Sequence, residues 1–140
     1  LDSKLIEEQR GRVLLKSEEA LAHRIFAASD IFVVPSLCEP CGLTQLLALR
    51  YGTIPVVRKT GGLADTIFDY QHHLPQGSGN GFVFERADPQ AAMEALTRAL
   101  TLYKKAPKSW NHLVKAGMES DFSWSKPAQA YISLYHRVVS

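Results

Sequence analysis

Short apolar runs alternate along the chain with stretches that carry apolar residues at helical spacing. Residues 31–34 (IFVV) and 54–57 (IPVV) are continuous apolar runs, which is typical of strands buried on both faces. Residues 81–84 (GFVF) and 13–15 (VLL) are shorter runs that we also interpret as strands. Strands that alternate with helices predict an α/β fold built on a parallel sheet.

Helices are predicted beside and after these strands. Ser17 is typical of a helix N-cap, and Glu18 and Glu19 would then lie in the first turn, where carboxylates favour the positive end of the helix dipole. Helical spacing predicts further helices over residues 43–51, 61–68, 110–118 and 126–139, and another that starts from Asp88 with proline at its first position. In the last helix, the residues expected to face a core are Ala128, Tyr131, Ile132, Tyr135 and Val138.

Composition narrows the class of protein. With 140 residues, 46% of them hydrophobic and 21% charged, residues 1–140 are predicted to form a single domain with a helical part from about 88 to 140. No apolar run approaches the roughly 20 residues that span a bilayer, so no membrane partner is expected. The net charge of +2 is carried by scattered basic residues, which argues against nucleic acid as a partner.

The two cysteines, Cys38 and Cys41, have C-x-x-C spacing. A zinc site needs two more ligands, and His72 and His73 are adjacent rather than at ligand spacing, so no metal is expected. Two interpretations stay open: a pair of reduced thiols or a redox-active dithiol.

The most informative stretch is residues 35–53, PSLCEPCGLTQLLALRYGT. It follows a predicted buried strand, turns, and enters a helix, at the edge of the sheet where α/β proteins bind ligands. Gly42 would let a phosphate approach the backbone, and the amides of Leu43 and Thr44 would meet it at the helix start. Glu39 lies at the mouth of this turn, where a carboxylate favours a sugar or a cationic transition state.

A second turn of the same kind follows the next strand in the sequence VRKTGGL, residues 57–63. Thr60, Gly61 and Gly62 open its helix. Two adjacent turns could hold one nucleotide diphosphate between them, although glycine turns also occur for packing alone.

Taken together, PSLCEPCGLTQ, RYGT, VVRKTGGLADT, GFVF and DFSW resemble the C-terminal domain of starch and glycogen synthases. The resemblance is collinear from about residue 17 to the end of the chain. It implies a retaining glycosyltransferase of the GT-B architecture, with two Rossmann-like domains. It also implies ADP-glucose as donor, the non-reducing end of an α-1,4-glucan as acceptor, and no metal or other cofactor.

The resemblance assigns roles to individual residues. Glu39 matches the active-site glutamate near the donor glucose. The positions that match the turns around the donor sugar and distal phosphate are Cys41, Gly42, Leu43, Thr44, Thr60, Gly61 and Gly62. Leu47 stands where sucrose synthases and their relatives have a second glutamate, which favours the starch and glycogen synthases.

Other matches leave alternatives open. Ser17 replaces a tyrosine of the family that is thought to stack on adenine, so ADP-glucose and UDP-glucose both remain candidates. His23 and Arg24 match family positions, but packing of a helix on the sheet explains them as well. We interpret residues 51–53 as a helix stop and strand entry rather than as a binding site.

The resemblance also implies that the chain is a fragment. In the family's strand order 3-2-1-4-5-6, residues 13–15 would be the third strand, while residues 31–34, 54–57 and 82–84 would be the last three. The first two strands and the N-terminal catalytic domain would be absent, so the isolated chain is expected to be inactive. A plastid stroma or a bacterial cytoplasm is the implied location. The alternatives are a non-catalytic nucleotide- or glucan-binding module and a related sugar-nucleotide glycosyltransferase.

Overall fold

The structure is a computed structural model that describes residues 11–15, 18–71 and 78–139. Helices and strands alternate through the first part of the chain, and helices alone make up the last part. In chain order the elements are α1 (Glu19–Ala28), β1 (Ile31–Val34), α2 (Thr44–Arg50), β2 (Ile54–Arg58), α3 (Gly61–Thr66), β3 (Phe82–Phe84), α4 (Pro89–Lys105), α5 (Pro107–Glu119) and α6 (Ser125–Val139). No helix in the described part of the chain is long and apolar enough to cross a membrane.

The three strands form one parallel sheet in the order β1-β2-β3. Ile31 pairs with Ile54 between the first two strands, and Val56 pairs with Phe82 between the second and third. The predicted parallel α/β fold is therefore confirmed, with the three strands adjacent in chain order. Because β2 is central and helices cover both of its faces, its first four residues are all buried.

Successive residues of β2 serve two cores, one on each face of the sheet. Val56 packs in the larger core with Phe82 and Trp110, against the alanines of α4. Val57 faces the other core, together with Leu49 and Leu63 from the helices that follow β1 and β2. This alternation is the ordinary consequence of side chains pointing to opposite faces along a strand, and it fixes the register of the sheet.

The predicted strand at residues 13–15 is not formed. These residues have no regular secondary structure, and Leu15 is 96% exposed. A strand is stable only when its backbone groups pair with a neighbour, and β1 pairs with β2. The apolar composition of this run was therefore not enough to predict a strand.

The prediction that α6 faces a core is also wrong. Tyr131, Ile132, Tyr135 and Val138 are exposed, and only Ala128 of the five predicted core residues is half-buried. The helix itself is present over Ser125–Val139, close to the predicted residues 126–139. Helical spacing identifies an apolar face correctly, but it does not show that another element covers that face.

The remaining helix limits differ from the predictions by a few residues. Helix α1 begins at Glu19 with Glu18 as its cap residue, and Ser17, the predicted cap, lies outside the described residues. The side chain of Asp88 accepts a 2.7 Å hydrogen bond from the amide of Ala91, which confirms its predicted role at the start of α4. Between α3 and β3, residues 72–77 lie outside the described part of the chain.

Candidate functional site

The first glycine turn connects the carboxyl end of β1 to the start of α2. Gly42 has a φ of 70°, a left-handed conformation that glycine adopts without a steric penalty. Leu43 is the cap residue and Thr44 the first residue of α2, one residue later than predicted. Cys41, Leu43 and Thr44 are exposed, so the helix start faces the surface with amide groups that have no partner within a helix.

The second glycine turn leaves the carboxyl end of β2 and enters α3. Thr60 is its cap residue in an extended conformation, and Gly61 follows with a φ of 43°. Gly62 is buried, and its amide donates a 3.0 Å hydrogen bond to the carbonyl oxygen of Glu39 in the first turn. The structure thus brings together the two turns that the sequence predicted to be neighbours.

The contact between the turns is made by backbone. A Cβ on Gly61 would overlap the carbonyl oxygen of Glu39, and a Cβ on Gly62 would overlap the carbonyl oxygen of Cys41. Glycine is therefore required at both positions for this approach. The packing explanation and the binding explanation of the second turn are compatible, because the close packing also sets how far apart the two turns lie.

Glu39 lies half-buried beside this contact. Its Oε2 accepts a 3.3 Å hydrogen bond from the hydroxyl of Ser36. Arg58, at the end of β2, donates from Nε to the carbonyl oxygen of Ser36 at 2.8 Å and also donates to the carbonyl oxygen of Leu37. Arg58 therefore holds the segment that leads to Glu39, a role that the sequence did not reveal.

A second residue that the sequence did not single out lies between the two turns. Gln45 is fully buried, and its Nε2 donates to the carbonyl oxygen of Gly42 at 2.8 Å and to the hydroxyl of Thr66 at 3.1 Å. The Thr66 hydroxyl donates in turn to the carbonyl oxygen of Gly62 at 2.6 Å. The only signal available in the sequence was a polar residue on the apolar side of a helix.

Lys59 precedes the second turn and is paired with Glu85. Their Nζ and Oε1 atoms are 2.8 Å apart on the surface. The hydrogen bond and negative charge of Glu85 raise the pKa of Lys59, and Lys59 lowers the pKa of Glu85 by the same two effects. Both groups are thus held in their charged forms next to Thr60.

Cys38 and Cys41 are free thiols, and both are exposed in the first turn. No three His, Cys, Asp or Glu side chains in residues 11–15, 18–71 and 78–139 come together as a metal site requires. His72 and His73 lie outside those ranges.

The residues around the end of α2 have structural partners. His23 Nδ1 lies 3.0 Å from the hydroxyl of Tyr51, and the two rings meet edge to face. Gly52 has a φ of 80°, and the buried Thr53 hydroxyl lies within hydrogen-bond distance of the carbonyl oxygens of Phe26 and Ser29. The interpretation of residues 51–53 as a helix stop and strand entry is therefore supported. Arg24 is exposed and Leu47 is half-buried.

The first turn is exposed at Cys41, Leu43 and Thr44. A cleft of about 810 Å³ elsewhere on the described surface is lined by residues that include Lys59, Phe68, Glu85 and Phe122, and neither Glu39 nor the turn glycines line it. We assign the candidate site to the turns, because the exposed start of α2 and the Glu39 side chain both lie at the carboxyl ends of the strands, where open α/β sheets bind ligands.

Comparison with known proteins places the chain in a family. Residues 4–117 match the family described as glycosyl transferases group 1. The chain is 52% identical over 130 residues to the probable starch synthase 4, chloroplastic/amyloplastic, of Arabidopsis thaliana, a match that covers 92% of this chain and 12% of that protein. It is 53% identical over 127 residues to a glycogen synthase of Syntrophotalea carbinolica, covering 91% of this chain and 26% of that protein.

Solved structures give the same result. The catalytic domain of starch synthase IV from Arabidopsis thaliana, bound to ADP and acarbose, superposes with a TM-score of 0.82 and 49% identity, over 97% of this chain and 29% of that one. A sucrose-phosphate synthase from Thermosynechococcus elongatus has a TM-score of 0.68 at 24% identity, over 99% of this chain and 33% of that one, and so shares the fold. The chain spans 12% to 33% of the length of these four proteins. Because the family match extends over well more than half of the sequence, the chain belongs to the glycosyl transferases group 1 family.

Proposed function

We propose that this chain is the donor-holding part of an α-1,4-glucan synthase, which transfers glucose from ADP-glucose to the non-reducing end of starch or glycogen with retention of configuration. The observation that carries the proposal is the contact of the two glycine turns, made by the hydrogen bond from Gly62 to Glu39 at the carboxyl ends of β1 and β2. The chain is 52% identical to a starch synthase and 53% identical to a glycogen synthase, which supports the choice of reaction.

The first turn is suited to the distal phosphate of the donor. Gly42 presents backbone without a side chain, and the exposed Leu43 and Thr44 follow it at the start of α2. Amides at a helix start and the positive end of its dipole favour an anion. In this proposal Cys41, Gly42, Leu43 and Thr44 hold the phosphate and sugar, and Thr60, Gly61 and Gly62 complete the site from the second turn.

Glu39 is proposed as the catalytic residue. During transfer the bond between the anomeric carbon and the phosphate oxygen breaks, and ADP leaves with the bonding electrons. A new bond forms to the glucan hydroxyl, whose proton goes to the departing phosphate. Positive charge develops on the glucose meanwhile, and a preorganised carboxylate beside it stabilises that charge. The hydrogen bond from Ser36 holds Glu39 in place for this role.

The partners follow from the same proposal. ADP is the proposed nucleotide, and an α-glucan chain is the proposed acceptor, because the starch synthase IV structure that resembles this chain contains ADP and acarbose. A further domain preceding this one would supply the glucan surface and the remaining donor contacts. The transfer is proposed to need no metal ion.

The test is a transfer assay on a full-length enzyme that carries this segment. Incubation with labelled ADP-glucose and glycogen should incorporate glucose into polymer, and labelled UDP-glucose should serve less well. Binding of ADP without any transfer from either donor would contradict the proposal and favour a non-catalytic binding module instead.

A further inference from the structure

Gln45 is a buried amide placed between the two glycine turns. It lies in the first turn of α2, a helix whose buried residues also include Ala48 and Leu49. No part of the Gln45 side chain is exposed. A polar side chain in such surroundings is retained where its hydrogen bonds offset the loss of contact with water. The partners of Gln45 therefore indicate what the residue does.

The hydrogen bonds of its neighbours fix the orientation of the Gln45 amide. The Thr66 hydroxyl gives its one hydrogen to the carbonyl oxygen of Gly62, at 2.6 Å, and so can only accept from Gln45. The carbonyl oxygen of Gly42 is likewise an acceptor. Because both neighbours require a donor, Nε2 faces them, and three hydrogen bonds run in series from Gly42 to Gly62.

The other end of the amide argues against a space-filling role. Gln45 Oε1 is buried and has no hydrogen-bond partner among the described residues. An acceptor in that situation destabilises the fold, whereas an apolar side chain of the same length would fill the space without that penalty. The two donations from Nε2 are what an apolar replacement would lack.

We infer that Gln45 is a positioning residue for the donor site. It ties the Gly42 turn to α3 through Thr66 and so sets the distance between the turns that would hold the donor. This inference rests on the proposed function for its consequence in catalysis, but the link itself is a property of the fold. Gln45 acts through the backbone of Gly42 and through Thr66, and not by touching the substrate.

The test compares Gln45→Met with the wild type in a full-length enzyme that carries this segment. Methionine keeps the length of the side chain and removes the donor. We expect the KM for ADP-glucose to rise roughly ten- to a hundredfold, because small displacements of positioning groups have effects of this size. The KM for glycogen should stay unchanged. General destabilisation would instead lower the amount of active enzyme and leave both KM values in place.

Two further variants separate the link from its surroundings. Thr66→Val removes the hydroxyl at constant shape and should reproduce the effect of Gln45→Met, whereas Thr66→Ser should restore a wild-type KM. The double variant should be no worse than either single one, since both break the same series of bonds. Gln90→Met is the matched control, because Gln90 is exposed on α4 and should be neutral.

Hydrogen exchange of the amides of Leu46, Gly62 and Leu63, which donate hydrogen bonds at the two turns, tests the link without any turnover. Exchange should accelerate in both turns together in Gln45→Met and in Thr66→Val. If the wild type transfers no glucose, the proposed function fails, and the exchange result alone decides the inference. Unchanged exchange in both variants, or an unchanged donor KM in an active enzyme, would overturn it. Should Gln45→Met not fold, the Thr66 pair decides in the same way.

Discussion

The amide nitrogen of Gly62 and the carbonyl oxygen of Glu39 lie 3.0 Å apart and join two turns that are more than twenty residues apart in sequence. One turn follows β1 and the other follows β2, and the two strands are neighbours in a parallel sheet. Because parallel strands end at the same edge, the turns meet there, and Glu39 is held where a ligand would enter. The location of the site is thus a consequence of sheet topology.

The contact at Gly62 predicts a large effect of one methyl group. Gly62→Ala would push a Cβ into the carbonyl oxygen of Cys41, and backbone must move to relieve the overlap. We expect the free energy of unfolding to fall by about 2 kcal/mol or more, at the upper end of the range for overpacking. Urea unfolding of the variant and the wild type measures this difference.

Gly117→Ala is the matched control for that measurement. The added Cβ would meet Cδ2 of Leu49, at 2.8 Å, which is the end of a side chain that can rotate away. Alanine also favours a helix over glycine, and Gly117 lies within α5. Its destabilisation should be clearly smaller than that of Gly62→Ala. Equal effects would show that the close contact of the turns does not matter to stability.

Glu39→Ala should lower turnover far more than donor affinity in a full-length enzyme. Removing one preorganised charge-stabilising group lowers the rate roughly 10²- to 10³-fold, and the carboxylate is not proposed to hold the phosphate. Steady-state kinetics with ADP-glucose and glycogen measures both parameters. Glu85→Ala is the control, because Glu85 is an exposed carboxylate paired with Lys59 near the second turn. If the two variants turned over equally fast, Glu39 would have no catalytic role.

Much of this site could be predicted because its signals are local. A few consecutive residues are enough to recognise the glycines of both turns, the apolar strands and the cap at Asp88. The contacts of Gln45 and Arg58 have no such local signal, because their partners Thr66 and Ser36 are 21 and 22 residues away. Only the fold brings such pairs together.

The two wrong predictions have a related cause. Residues 13–15 have the composition of a strand, and α6 has the apolar spacing of a packed helix. Both properties belong to the segment itself and say nothing about whether another element packs against it. Leu15 and Tyr135 are both exposed, so neither is covered by another element in the described part of the chain. Sequence periodicity predicts which face of a helix or strand is apolar. Whether that face is buried depends on residues elsewhere in the chain.

The exposure of α6 predicts a contrast between two aromatic residues. Tyr135→Ala removes a side chain that is 62% exposed and should change the free energy of unfolding by less than about 0.5 kcal/mol. Trp110→Ala removes a side chain that is 5% exposed in the larger core and should lower it by about 3–5 kcal/mol. Urea unfolding of the 140-residue chain tests both. A loss at Tyr135 as large as at Trp110 would mean that α6 packs on the sheet.

The 140-residue chain alone is predicted to transfer no glucose. It spans 29% of the starch synthase IV chain that it resembles, and catalysis depends on positioning both substrates together. The purified chain would be assayed with ADP-glucose and glycogen beside its Glu39→Ala variant. Glucan extension by the wild-type chain that exceeds that of the variant would contradict this prediction.

The position of the donor phosphate tests the central claim most directly. A crystal structure of a full-length enzyme carrying this segment, with ADP bound, should place the distal phosphate within hydrogen-bond distance of the amides of Gly42, Leu43 and Thr44. The second turn, at Gly61, should lie beside the first turn, which it contacts, and face the same ligand. ADP bound elsewhere on the domain, with the Gly42 turn empty, would contradict the account.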